Sequence, residues 1–325
     1  MQKIRNWLLG LLALQLLLLL FVWWVPTLSA ENHPAKPLFA FKLPQVNKLV
    51  LQQGKQQVIL LKQNQHWHLM DKAKLPADQA KVTMALTTLS QLKTNWPTAM
   101  SSAAQTRFKV AKDNYQRHVK LYIDNKVVAD FYLGSSPSFR HSMLRVAGQG
   151  AIYSLAINSY DFSADDGDWF DKQLLALKSI IKINGADFSL TKPLNNTGKL
   201  NTKADDKPLW QLSASTDVVA KTQSVEQPLD QTKVQQLLNT LTQLRVQKRV
   251  ALTIDKADFQ LSASNGSKSV NWQFQHQGKQ YLVKRDDVAG VFTLNQATFE
   301  QLQQAHRGQL LKQVKRVKKL SPIKK

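Results

Sequence analysis

The chain contains no cysteine. Disulfide bonds are therefore excluded, and so is a lipid-modified amino-terminal cysteine of the lipoprotein kind. Acidic residues are scarce: 22 Asp and Glu stand against 44 Lys and Arg, and only Lys3 and Arg5 of these charges precede residue 31. The portion from residue 31 onward thus carries 42 − 22 = +20. A polycation of this size attracts polyanions. The sequence also lacks the usual catalytic signatures. It has no G-x-S-x-G frame around Ser135 or Ser136, no P-loop, no dinucleotide fingerprint, and no ordered Ser, His, Asp set. The expectation is a non-enzymatic protein with no catalytic residue, no cofactor and no metal.

Against these absences stands Trp7 to Val25, nineteen residues without a charge and with Gln15 as their one strongly polar member. At about 1.5 Å per residue such a helix is roughly 29 Å long, close to the thickness of a bilayer core. Trp7 at one end and Trp23 and Trp24 at the other fall where membrane-interface aromatics belong, and Lys3 and Arg5 keep the amino terminus in the cytoplasm by the positive-inside rule. The expectation is a single-pass protein of the bacterial cytoplasmic (inner) membrane with the bulk of the chain on the periplasmic or outer side. The alternative is a signal peptide cleaved after Ala30, in the small-residue run Leu28, Ser29, Ala30. Both readings export the remainder, where the abundant polyanions are anionic lipid head groups, cell-wall polymers and lipopolysaccharide. Nucleic acid, which the charge would suggest for a cytosolic protein, is not expected as a partner.

The exported part divides by pattern. Residues 31–45 hold Pro34, Pro37 and Pro44 and predict an extended tether. Runs of apolar residues around Gly54 predict a hairpin, followed by a strand at His66 to Met70. Val82, Leu86, Leu89 and Leu92 then recur at helical spacing, with Pro76 and Asp78 expected in the first turn. The block 76–93, PADQAKVTMALTTLSQLK, returns without a gap at 228–245 as PLDQTKVQQLLNTLTQLR, identical at 10 of 18 positions. Trp67 corresponds to Trp210 upstream. Gly150 to Leu155 resembles Gly290 to Leu294 downstream, with Tyr160 and Phe299 following, and 183–188 echoes 254–259 as a hairpin used repeatedly. The predicted fold class is α+β: a transmembrane helix over 1–30, the tether, and two homologous units of mainly antiparallel sheet at 46–178 and 179–300. Each unit has one main helix, and a basic tail follows at 301–325.

A Trp-x-Leu strand, Pro76-Ala77-Asp78 at a helix start, Leu133-Gly134 closing a strand, Ile152-Tyr153, and Trp169-Phe170-Asp171-Lys172 together resemble the bacterial domain-of-unknown-function family 4340, over roughly 46–300. The resemblance implies a membrane-tethered envelope protein, sometimes linked to ABC transporters of the gliding-motility type, and hence an accessory or scaffold role. It brings no catalytic residues. Phe170 and the basic tail depart from the family pattern.

Three residue groups invite chemistry. His66 and His68 share one strand face, but no third ligand has useful spacing, so they read as a polar edge beside Trp67. Asp165, Asp166, Asp168 and Asp171 lack the order of a calcium loop, and helix capping by Asp168 is expected instead. Trp67, Trp210 and Trp272 read as core. The tail from Arg307 onward has eight bases, no acid and a leucine–valine stripe, which predicts an interfacial helix holding Lys312, Lys315, Arg316, Lys318 and Lys319 against anionic lipid or another polyanion. A solvated terminus is the alternative. The competing function is a periplasmic module that binds a ligand or cell-wall polymer, or an enzyme on such a polymer.

Overall fold

The computed structural model describes residues 2–29, 35–71, 73–94, 96–192, 209–212 and 228–312, and within 2–29 the side chains of residues 2 and 5–21. Helix α1 (Gln2–Ser29) opens the chain. Among the described residues no helix is long and apolar enough to cross a membrane; the continuous part of α1 with described side chains is residues 5–21. Its leucines from Leu8 to Leu20 are 42–66% exposed, so this apolar surface packs on nothing among the described residues.

The first half continues as β1 (Lys36–Pro37), β2 (Lys48–Gln53), β3 (Gln56–Gln63), β4 (His66–Leu69), α2 (Gln79–Gln91), β5 (Lys93–Thr94), α3 (Ser102–Arg107), β6 (Arg117–Ile123), β7 (Lys126–Leu133), β8 (Ser142–Val146) and β9 (Ile152–Leu155). The second half runs β10 (Lys182–Asn184), β11 (Ser189–Thr191), β12 (Gln211–Leu212), α4 (Gln231–Thr242), β13 (Arg249–Val250), β14 (Phe259–Ser264), β15 (Ser269–Gln277), β16 (Gln280–Arg285), β17 (Val291–Leu294), α5 (Gln296–Gln303) and α6 (Arg307–Leu310). Seven strands form the first sheet in the order β4-β3-β2-β6-β7-β8-β9, and the second sheet reads β12-β11-β10-β14-β15-β16-β17-β13. Up to the last edge strand the two orders coincide, each starting with a three-stranded meander run backwards. The chain is α+β with antiparallel pairing throughout both sheets.

Alternation decides which face is inside. Val119 and Leu121 of β6, Phe131 and Leu133 of β7, and Trp272 and Phe274 of β15 all enter one continuous core, because side chains two apart on a strand share a face. Helix α2 adds Val82, Ala85, Leu86 and Leu89, and α4 adds Val234, Leu237, Leu238 and Leu241. The opposite face of β7 and β8 carries a satellite core of Tyr132 and Met143, roofed by Ala104 of α3 and by Val110. Gly134 is required at its rim. A Cβ there would stand 2.0 Å from the Phe108 carbonyl oxygen, closer than any side chain permits.

Several expectations are corrected. Pro76 lies in a bridge to His68, before the helix, and Asp78 is the N-cap, accepting from the Lys81 amide at 3.0 Å. A capping carboxylate must sit outside the first turn to reach its orphan amides. The tether is shorter than its prolines suggest, because β1 pairs with β5 and Phe39 is buried with its ring 5.1 Å from that of Phe131. Tyr160 is exposed, and Phe162 takes the buried place instead. Residues 184–189 turn between β10 and β11, but 254–258 only lead into β14, so one hairpin type is not reused. The stripe expected to face lipid begins by serving the fold: Leu310 is buried, and Leu311 bridges to Leu229 just after the single turn of α6.

Candidate functional site

The residues with the most specific local pattern, Trp169 to Lys172, form the junction between the two sheets. Residues 169–171 run antiparallel to 76–78, with the Asp78 amide donating to the Trp169 carbonyl at 2.7 Å and the Asp171 amide to that of Pro76 at 2.8 Å. Trp169 is fully buried and donates its indole N–H to the Ser163 carbonyl at 2.8 Å. Phe170 meets Phe292 of the second sheet edge-on at 5.7 Å.

Lys172 spans the joint. Its Nζ donates to the carbonyls of Gly167 and Gln247 and lies 3.9 Å from the centroid of the Phe170 ring. Burial pulls its pKa below the ordinary lysine value, against the attraction of Asp168. Beyond it, Trp272 donates to the Leu175 carbonyl at 2.9 Å and Arg285 to that of Ala176 at 3.0 Å. Arg285 is itself held by Asp287 at 2.5 Å, and Lys268 pairs with the same carboxylate. For Asp287, burial works to raise the pKa, and the hydrogen bonds from Arg285 and Lys268 more than offset it, leaving the group below the usual carboxylate range. Arg249 of β13 pairs with Asp71, just after β4. Lys172 and Arg249 reach from one half to the other, and Arg285, steadied by Asp287, ties the second sheet to the segment after Lys172. As chemistry, this arrangement immobilises.

The other singled-out residues are scattered. Trp7 is 69% exposed on α1. The side chains of Trp23 and Trp24, and all of Lys315, Arg316, Lys318 and Lys319, lie outside the described residues. Lys312 is exposed, and its amide donates to the Pro228 carbonyl at 2.9 Å. His66 and His68 flank buried Trp67 and turn their Nδ1 atoms to the carbonyls of Asn64 and His66, at 2.9 and 3.2 Å. Asp165 caps the short 3-10 turn Asp166–Asp168 through the Gly167 amide at 2.8 Å, so Asp168 is not the cap: it ends the turn. With Asp71, Asp165 and Asp166 line an open cleft of about 320 Å³. Among the described residues no group of three or more His, Cys, Asp or Glu is arranged to hold a metal ion.

One cluster escapes a reading of the sequence. His118 bonds Asp130 at 2.6 Å and stacks on Tyr132 at 4.3 Å, while Lys120 approaches Asp130 at 3.5 Å. Buried Arg145 lies 4.8 Å from the Tyr132 ring centroid and donates to the Val110 carbonyl at 2.7 Å. Burial raises the Tyr132 pKa first, Asp130 adds to this, and Arg145 and Lys120 oppose it. Alternation along β6 to β8 does assign these residues to the face away from the main core. Only the roof over α3, set by long-range packing, makes that face a second interior.

The family model described as Domain of unknown function (DUF4340) matches residues 67–264, more than half of the chain. The chain belongs to this family. The DUF4340 match runs from Trp67 to Ser264, so it takes in α2, the junction and α4, and ends at the close of β14. No curated protein and no solved structure matches this DUF4340 chain.

Proposed function

We propose that this DUF4340 protein is a non-enzymatic, membrane-anchored envelope module, an accessory or scaffold subunit of a transporter or another envelope complex. In this reading it sits in the bacterial cytoplasmic membrane by α1 with its sheets on the outer side. The observation that carries the reading is α1 itself. It is 28 residues long with leucines exposed on every side, and a helix apolar all round is a helix that lipid covers. Its backbone, at about 1.5 Å per residue, extends roughly 42 Å. The junction adds support, because Lys172, Arg249 and Arg285 are occupied in holding it together, as suits a scaffold.

In the same reading the exported part is a duplicated α+β unit. Support comes from the 10 of 18 identities between 76–93 and 228–245, from the shared strand order, and from a matched cap, Asp230, which accepts from the Thr232 and Lys233 amides. The +20 charge of residues 31–325 favours a second reading, a binder of anionic lipid or cell-wall polymer through Lys312, Lys315, Arg316, Lys318 and Lys319.

Topology reporters fused after Lys325, together with co-purification in mild detergent, test the proposal. Outer-side reporter activity and recovery of a defined partner complex are expected. Cytoplasmic activity overturns the anchor reading, and recovery of the chain alone overturns the accessory role. Liposome co-sedimentation of residues 31–325 with and without 313–325 decides the second reading.

A further inference from the structure

We infer that α1 pairs with α1 of a second copy of this chain through Gln15, so that the protein is a parallel dimer within the membrane. The inference rests on the anchor reading above. Gln15 lies near the middle of Trp7 to Val25, the nineteen-residue apolar stretch, so a helix centred on the bilayer places its amide near the midplane. Its side chain is exposed, and it has no hydrogen-bond partner among the described residues. Hydrocarbon offers an amide neither donor nor acceptor, so the group must be satisfied by a neighbouring helix.

The occupant follows from chemistry. A primary amide carries one acceptor and a pair of donors, so it is its own complement. Two copies insert in the same direction, and a parallel pair brings Gln15 to Gln15 at equal depth. Around it, at intervals of three, four and seven, stand Leu8, Leu11, Leu12, Leu18 and Leu19, all exposed. This is the pattern of a helix seam with one polar position fixing the register. Gly10 and Ala13, the small residues that would allow a different close crossing, lie on the opposite face, and nothing in the chain stands within 4 Å of a Cβ built on Gly10.

The cysteine-free chain makes the test direct. Single cysteines are placed in the full-length protein at Leu11 and Leu18, on the Gln15 face, and at Ala13 and Leu17, on the other, and isolated membranes are oxidised. Disulfide dimers are expected from L11C and L18C and not from A13C or L17C. Adding Gln15→Leu, which leaves the helix more apolar, lowers dimer formation about 3- to 30-fold, the worth of an interhelical amide bond, and Gln15→Asn restores it. Membrane-retained protein with equal cross-linking on both faces, with none, with adducts only to another protein, or with dimers indifferent to Gln15→Leu overturns the pairing alone. A soluble chain that has lost α1 overturns the anchor reading, and the pairing with it.

Discussion

Gln79 and Trp67 exchange two hydrogen bonds: the Trp67 amide donates to the Gln79 side-chain oxygen at 2.8 Å, and the Gln79 nitrogen donates to the Trp67 carbonyl at 2.9 Å. Gln231 holds Trp210 in the same way, at 3.0 and 2.9 Å. Each glutamine is the first residue of its helix, so the pair fastens α2 to the edge strand β4 and α4 to the residue just before β12. Gln79→Leu leaves the Trp67 amide without its acceptor, and Gln231→Leu does the same to Trp210. Each substitution is expected to lower stability by about 1–3 kcal/mol, the cost of a buried polar group left unpaired. Urea unfolding of the two variants is the measurement, and a change under about 0.5 kcal/mol in either would show that the clamp contributes little there.

Gly134→Ala is expected to be among the more damaging single substitutions. The added methyl meets backbone carbonyls of Phe108 and Lys109, at 2.0 and 2.7 Å, rather than a flexible side chain. The loop must move as a body, and with it the bonds from Gly134 to Met143 and from Ser135 to Phe108, both 2.9 Å. A loss of about 2 kcal/mol or more is expected. Wild-type thermal stability in the variant would mean that this approach is looser in solution.

Trp272→Phe retains the ring in the core and removes one donor. The Leu175 carbonyl then loses its 2.9 Å bond, for an expected cost of about 1–2 kcal/mol. The joint should feel the loss more than the sheet does. Hydrogen exchange of residues 172–178 should quicken relative to β6 and β7, and uniform exchange across the chain would contradict this.

Asp287 gives the joint an acid limit. Its folded pKa is lowered, so its contribution is present in full above the unfolded value of about 3.9 and is lost as pH falls below that value through the folded one. Asp287→Asn removes the contribution at every pH. The stability gap between wild type and variant is therefore expected to be constant from about pH 5 to 7 and to close towards pH 3. Urea midpoints across that range check the sign, and a gap that widens in acid would reverse it.

Period-two and period-3.6 patterns made most strands and both long helices legible, since Leu49 and Leu51 or Val234 and Leu238 announce a buried face by spacing alone. The joint was only half legible. Trp169 to Lys172 stood out as a motif, but its partners Gln247, Trp272 and Arg285 lie far along the chain, and nothing local in β16 tells that Arg285 turns inward while Lys284 turns out. The glutamine clamps were hidden for another reason: their partners are backbone atoms, which leave no trace in residue identity. Leu310 and Leu311 misled because a stripe that suits lipid suits a protein core equally well.

The early burial of Phe39 sets a distance. Six residues, 30–35, separate the end of α1 at Ser29 from β1 at Lys36, and at about 3.3–3.6 Å per residue that interval covers no more than about 25 Å. Whatever holds α1 keeps β1 within that radius. In the membrane-anchor proposal the same short leash becomes a ruler, because it sets how far from the bilayer surface the folded part can begin.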